Sequence, residues 1–174
     1  DALPIFRFKL KFTYYIVLMV LLAGCKVNYS FTGASISPDI KTVSIAYFPN
    51  YAPLAQPTLS QVFTESLKDY FLSQTSLKLT DKYGDIEFSG EIIDYKTEPM
   101  AVTQDETAAV NRLTITVKVK YRNSKDEGQN FEKTFSKNET YDSSRNLNEV
   151  EPELIPQIVD QIVQDIFNAS LGNW

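Results

Sequence analysis

Arg112-Leu113-Thr114-Ile115-Thr116-Val117-Lys118-Val119-Lys120-Tyr121-Arg122 alternates without interruption. Leu113, Ile115, Val117, Val119 and Tyr121 fall on one side. Thr114, Thr116, Lys118, Lys120 and Arg122 fall on the other. A period of two over eleven residues is a strand with one buried and one wet face. The apolar face needs a cover and the polar face needs none. The stretch therefore calls for two layers, with a sheet left open on one side.

Reading outward, Asn123–Gly128 (NSKDEG) predicts a hairpin loop. Asn130–Ser136 (NFEKTFS) predicts the return strand, with Phe131 and Phe135 inward. Upstream, Ile86–Thr97 (IEFSGEIIDYKT) predicts a second long strand. Ile86, Phe88, Gly90 and Ile92 share a phase, and Ile93 and Tyr95 take the other. That change predicts a bulge or twist that passes burial to the opposite face. Lys41–Phe48 (KTVSIAYF) is a third strand, with Val43, Ile45 and Tyr47 inward, and Leu77–Thr80 is a short fourth. Met100–Ala109 reads as a polar connection, and Asn138–Asn148 is polar and reads as extended or irregular.

Two segments can supply the cover. After Pro57, residues 58–73 carry Leu59, Val62, Phe63, Ser66, Leu67, Tyr70 and Phe71 at helical spacing. Thr58 and Gln61 have the spacing of a capping box. Residues 152–169 repeat the pattern with Ile155, Ile158, Val159, Ile162, Val163, Ile166 and Phe167. Pro152 fits a first helical turn there, and Pro156 makes that start ragged. The order predicts an α+β two-layer sandwich: a mostly antiparallel sheet of four to five strands with two helices on one face.

The N-terminal end has a different character. Arg7, Lys9 and Lys11 precede Phe12–Leu22, eleven residues without charge. As a helix that run rises only ~16 Å, short of the ~30 Å hydrocarbon core, so it reads as a secretory signal. It closes on Leu21-Leu22-Ala23-Gly24-Cys25. This ending resembles a bacterial lipobox. The resemblance implies cleavage between Gly24 and Cys25, a diacylglyceryl group on the Cys25 sulfur and acylation of the new amino terminus. The expected organisation is a signal peptide at 1–24, a lipidated cysteine and tether at 25–40, and one domain at 41–174.

Composition closes off most chemistry. The chain has no histidine and one cysteine, Cys25, which the lipobox resemblance assigns to the lipid. The usual general base, catalytic triads, thiol nucleophiles, internal disulfides and most transition-metal sites are thereby removed. Beyond the signal there are 14 basic and 21 acidic residues, a net charge of −7. Such a balance is wrong for nucleic acid. Carboxylates abound, so a carboxylate-pair hydrolase is the one enzyme class left open. The expectation is a non-catalytic protein with no metal and no cofactor apart from covalent lipid. Lys118, Lys120 and Arg122 form a local basic stripe in this acidic chain. They are candidate contacts for anionic groups such as glycolipid phosphates. The competing reading is cross-strand pairing with Glu132.

Several stretches together resemble the LptE-like proteins, the lipopolysaccharide-assembly lipoproteins of Gram-negative outer membranes. They are 22–36 (LAGCKVNYSFTGASI), 41–50 (KTVSIAYFPN), 59–71 (LSQVFTESLKDYF), 111–121 (NRLTITVKVKY) and 165–174 (DIFNASLGNW). The family's fold is similar to the one argued above. The resemblance implies a lipid-anchored, periplasm-facing protein of the outer membrane. It implies that the protein sits as a plug in an LptD-like β-barrel, helps that barrel assemble and meets lipopolysaccharide on its way to the surface. The alternative from the residues alone is a generic periplasmic ligand- or protein-binding lipoprotein.

Overall fold

The computed structural model describes residues 36–100 and 109–172. Gly24, Cys25, the signal, most of the tether and Trp174 lie outside the described residues. Strand β1 is Thr42–Ile45, helix α1 is Leu59–Gln74, β2 is Lys78–Thr80, and β3 is Ile86–Pro99. Then come β4 (Val110–Asn123), β5 (Phe131–Asp142) and helix α2 (Leu147–Leu171). The sheet order is β2-β1-β3-β4-β5. β4 pairs antiparallel with β3, from Ile86 opposite Asn123 to Pro99 opposite Asn111. It pairs antiparallel with β5 from Val110 opposite Asp142 to Tyr121 opposite Phe131. The short β1 lies between β2 and β3 and runs parallel to both. The architecture is the predicted α+β sandwich with a mostly antiparallel sheet.

The core lies between one sheet face and the two helices. Leu113, Ile115, Val117, Val119 and Tyr121 are buried, as their alternation requires. Above them lie Phe63, Leu67 and Phe71 of α1 and Ile158, Ile162 and Ile166 of α2. Phe71 packs against Phe88 at 4.6 Å and Phe167 at 5.1 Å between ring centroids, which joins both helices to β3. Gly90 is required where β4 backbone and the Phe48 ring close in on β3. A Cβ there would lie 2.1 Å from the Lys118 carbonyl oxygen and 2.6 Å from the Phe48 ring.

Four expectations change. The bulge exists, between Ile92 and Asp94. It does not pass burial across the sheet: Ile93 is the extra residue, and Tyr95 returns to the core face beside Ile92. β1 stops at Ile45, so Tyr47 is 61% exposed and Phe48 goes inward instead. The capping box does not form: Thr58 is itself helical, and its side chain makes no cap hydrogen bond. Finally, the return strand does not end at Ser136: β5 runs to Asp142, so the start of the polar 138–148 stretch takes the extended course, because ladder hydrogen bonds to β4 do not depend on side-chain polarity.

The second helix begins five residues before its predicted start. Both prolines lie inside it, four residues apart and exposed. Proline removes a helical hydrogen bond and disfavours an interior position by about 3 kcal/mol. Here the residues whose carbonyls lose a partner, Asn148 and Pro152, are exposed. Val150 and Glu151 hold the added turn by being buried.

Candidate functional site

The open face of the sheet is built by three strands. β3 shows Glu87, Ser89 and Glu91; β4 shows Thr116, Lys118, Lys120 and Arg122; β5 shows Glu132, Thr134 and Ser136. The register sets Glu91 opposite Lys118, Ser89 opposite Lys120 and Glu87 opposite Arg122. On the other side Lys120 is opposite Glu132, and Thr116 is opposite Ser136. Lys118 Nζ reaches diagonally to Glu132 Oε1 at 2.5 Å. Arg122 Nη1 lies 3.9 Å from Glu87 Oε2. The Thr116 and Ser136 hydroxyls are 2.9 Å apart.

The basic stripe is thus flanked by acidic residues on both neighbouring strands. The Glu132 carboxylate holds the Lys118 ammonium above its ordinary pKa, first by hydrogen bond and then by charge. Lys118 holds Glu132 below its own in the same way. Both are solvent-exposed, so the pair contributes little to stability. Lys120 makes no ion pair among the described residues. A shallow hollow of about 400 Å³ lies over Lys120, Arg122, Asn130 and Phe131, and another of about 170 Å³ over Gly90, Glu91, Lys118 and Glu132. The surface is wet, grooved and charged with both signs.

A cavity of about 670 Å³ opens at one end of the sheet, where the β4–β5 loop meets the end of α2. Asn123, Asp126, Gln129, Lys133 and Ser170 contribute to its wall. Asn123 organises that loop. Its Oδ1 accepts from Lys125 N at 2.8 Å and Asp126 N at 3.2 Å, and its Nδ2 donates to Gln129 Oε1 at 3.0 Å.

Two polar clusters escaped the sequence reading. Glu151, 3% exposed, accepts from the Tyr95 hydroxyl and from Gln56 Nε2. Burial, with Glu151 beside it, pushes the Tyr95 phenol far above its ordinary range. Asp85 Oδ2 accepts from Lys41 N at 2.9 Å, Thr42 N at 3.0 Å and the Thr42 hydroxyl at 2.9 Å. Its Oδ1 meets Lys125 Nζ at 2.9 Å. These contacts, the Lys41 amide foremost, hold its carboxyl well below the usual carboxylate range. Both clusters join elements distant in sequence, and neither carries a local motif. Among the described residues no group of three or more Cys, Asp or Glu could hold a metal ion. Among those same residues no helix is long and apolar enough to cross a membrane.

Residues 40–170 match the family model described as LptE: Lipopolysaccharide-assembly. No curated protein sequence matches the chain. Among solved structures, a hypothetical protein from Chlamydia trachomatis is similar at 10% identity with a TM-score of 0.53, covering 76% of this chain and 96% of that one. That likeness concerns the fold. A minor lipoprotein from Acinetobacter baumannii is 16% identical with a TM-score of 0.47, covering 73% of this chain and 89% of that one.

Proposed function

Because the chain belongs to the LptE family of lipopolysaccharide-assembly proteins, we propose that it is a lipoprotein of the outer membrane. In this reading it plugs an LptD-like barrel, helps that barrel assemble and takes part in lipopolysaccharide export. The family match over residues 40–170 carries this reading. The lipobox-like ending at Cys25 supports it. One acyl chain binds a bilayer only marginally, whereas two or three on Cys25 anchor the protein durably.

The open sheet face suits such a place. The lumen of a large barrel is polar and water-filled, in contrast to its lipid-facing side. A surface of paired charges and hydroxyls stays hydrated against such a wall. Lys120, beside the paired Lys118 and Arg122, is the cation best placed to meet a glycolipid phosphate. The protein works by occupying, aligning and binding, not by catalysis.

The test is a mild-detergent pull-down of the tagged protein from outer membranes, with the eluate identified by mass. A large barrel recovered in stoichiometric amount is the expected result. Recovery of the lipoprotein alone, where other barrel complexes survive, overturns the plug role. A second reading, a periplasmic ligand-binding lipoprotein, rests on the 670 Å³ cavity, whose volume lies in the range of small-molecule sites. It expects recovery without a barrel and with a bound small molecule.

A further inference from the structure

Among the described residues Tyr83 is the one non-glycine with a positive φ, 57°. It is also 90% exposed. A left-handed backbone crowds a Cβ, so a bulky side chain is held there at a cost. The turn around it is tight: a Cβ on the next residue, Gly84, would lie 2.6 Å from the Ser44 amide nitrogen. Burial does not offset the cost, because the Tyr83 ring stands in water. Glycine would relieve the backbone at this position, and a polar side chain would suit the solvent better. A strained, exposed aromatic is accounted for by what its ring can meet.

The ring borders a hollow of about 230 Å³. Its wall comes from Ser44 and Ala46, from Glu87 and Ser89 of β3, and from Asp81 and Tyr83 in the passage between β2 and β3. Ser44 is opposite Glu87 in the ladder, so the hollow lies on the open face of the sheet. A whole small-molecule site measures ~300–1,000 Å³, so this one suits a single ring of a larger ligand. An aromatic face beside carboxylate and hydroxyl oxygens is chemically two-sided. So is a pyranose, whose C–H face is apolar and whose edge carries hydroxyls. The C–H face stacks on the phenol ring, and the hydroxyls donate to Glu87 and Asp81.

The hollow adjoins the basic stripe. Ser89 is opposite Lys120, and Glu87 is opposite Arg122. Neighbouring strands lie ~5 Å apart, which matches the separation of a sugar ring from a phosphate it carries. We propose that the Tyr83 hollow is a sugar-ring subsite, taking one pyranose of the glycolipid whose phosphate Lys120 meets. It rests on the glycolipid reading of the open face and adds to it the place of the sugar. A protein anchor is the competing occupant. Aromatic anchors of protein interfaces are ringed by groups that exclude water. Here the neighbours are charged or hydroxylic, and the other aromatic in the wall, Phe88, is buried in the core.

The full chain, captured in mild detergent, is titrated by surface plasmon resonance with purified lipopolysaccharide, intact and with its phosphates removed by hydrofluoric acid. Tyr83→Gly should melt at a higher temperature than the wild type, since glycine accepts the left-handed turn. Its affinity for both forms should fall several-fold. Tyr83→Phe keeps the ring face and should keep the affinity. Lys120→Ser should lose affinity for the intact form only. Unchanged affinity of Tyr83→Gly for both forms overturns the proposal. So does an equal loss in Tyr83→Phe, which assigns the effect to the hydroxyl. A lower melting temperature for Tyr83→Gly shows that the fold uses the ring, and removes the premise. Normal glycolipid binding by Tyr83→Gly with loss of the barrel from the pull-down makes Tyr83 a protein anchor and also overturns the subsite. If Lys120→Ser binds both forms like the wild type while Tyr83→Gly does not, the subsite stands and the role of the stripe falls. Glycolipid binding that depends on Tyr83, with no barrel recovered, likewise supports the subsite and removes the plug.

Discussion

The hydroxyl of Tyr95, on β3, donates to Glu151, on α2, across 56 residues of sequence. Gln56 closes the same carboxylate from the loop before α1. A buried carboxylate is tolerated only when hydrogen bonds replace its lost water. This contact is therefore where sheet, loop and helix agree on their relative positions. Tyr95→Phe removes one donor and leaves the carboxylate buried. It should destabilise the fold by roughly 1–3 kcal/mol. Glu151→Ala should lose more, because it orphans Gln56 and Tyr95 together. Urea unfolding of the three proteins measures both, and an unchanged midpoint for Tyr95→Phe would show that the contact does not hold.

That tie also marks the limit of what the sequence discloses. Periodicity placed the long strands β3 and β4 and both helices, because burial on one face writes itself at period 2 or 3.6. It misassigned Tyr47 and Phe48, since a strand that ends after four residues loses its phase without any local sign. It could not decide the sense of the bulge at Ile93, which depends on which β4 residue lies opposite. Tyr95 with Glu151, and Asp85 with Lys41, are invisible for another reason: each joins residues more than forty apart that become neighbours only after the sheet exists. In the candidate site, the alternation gave the Lys118–Arg122 stripe, and Glu132 was foreseen as its partner. The acidic row on β3 required the register.

Tyr121 makes the opposite case to Tyr95. Its hydroxyl is buried without a well-formed hydrogen bond among the described residues, and the Asn123 side chain only partly offsets that burial. Tyr121→Phe should therefore be neutral to slightly stabilising at pH 7. Burial pushes its phenol up to about 12, against about 10 in an unfolded chain. A folded-state pKa that is raised gives stability present in full below about pH 10 and lost as pH rises through the folded value. The wild type should thus weaken steeply above about pH 10, and Tyr121→Phe should weaken less. Denaturant titrations from pH 8 to 11 compare the slopes.

Asp85 acts at the other end of the pH scale. Its carboxyl is held below the ordinary range, so its contribution is complete above about pH 4 and is lost as pH falls. Asp85→Asn should be less stable at pH 7 by about 1–2 kcal/mol. Its stability should then fall less than the wild type's between pH 4 and 2. Parallel curves for the two proteins would remove Asp85 from the account of acid sensitivity.

Gly90→Ala places a methyl group against the Lys118 carbonyl and the Phe48 ring. The carbonyl belongs to the sheet and cannot yield cheaply. Overpacking of this kind typically disfavours the fold by about 1–3 kcal/mol, and the approach to backbone here puts Gly90→Ala at or above the upper end. Pairing it with Phe48→Leu, which clears the ring but not the carbonyl, should recover little. Thermal melts of the single and double variants give the comparison.

Replacing Lys118, Lys120 and Arg122 together with Ser tests the open face as a glycolipid surface. The fold should survive, because all three lie outside the core. Binding of purified lipopolysaccharide should weaken several-fold, and most of that loss should appear in Lys120→Ser alone. Equal binding by a folded triple variant would remove the stripe from the site.

The position of β1 has a mechanical consequence. It is the first strand of the described chain, yet it sits inside the sheet with parallel partners on both sides. The five-residue passage from β2 to β3 crosses over it, with Gly84 lying directly against its backbone. At its entry, Asp85 grips the Lys41 and Thr42 amides. Tension arriving along the chain from the N-terminal side therefore meets the Asp85 clamp first. Behind it, two ladders are loaded together in shear, so their hydrogen bonds share the load rather than opening one after another. An edge strand in that position would peel from its end. The domain is fastened at the point where a leash on Cys25 would pull.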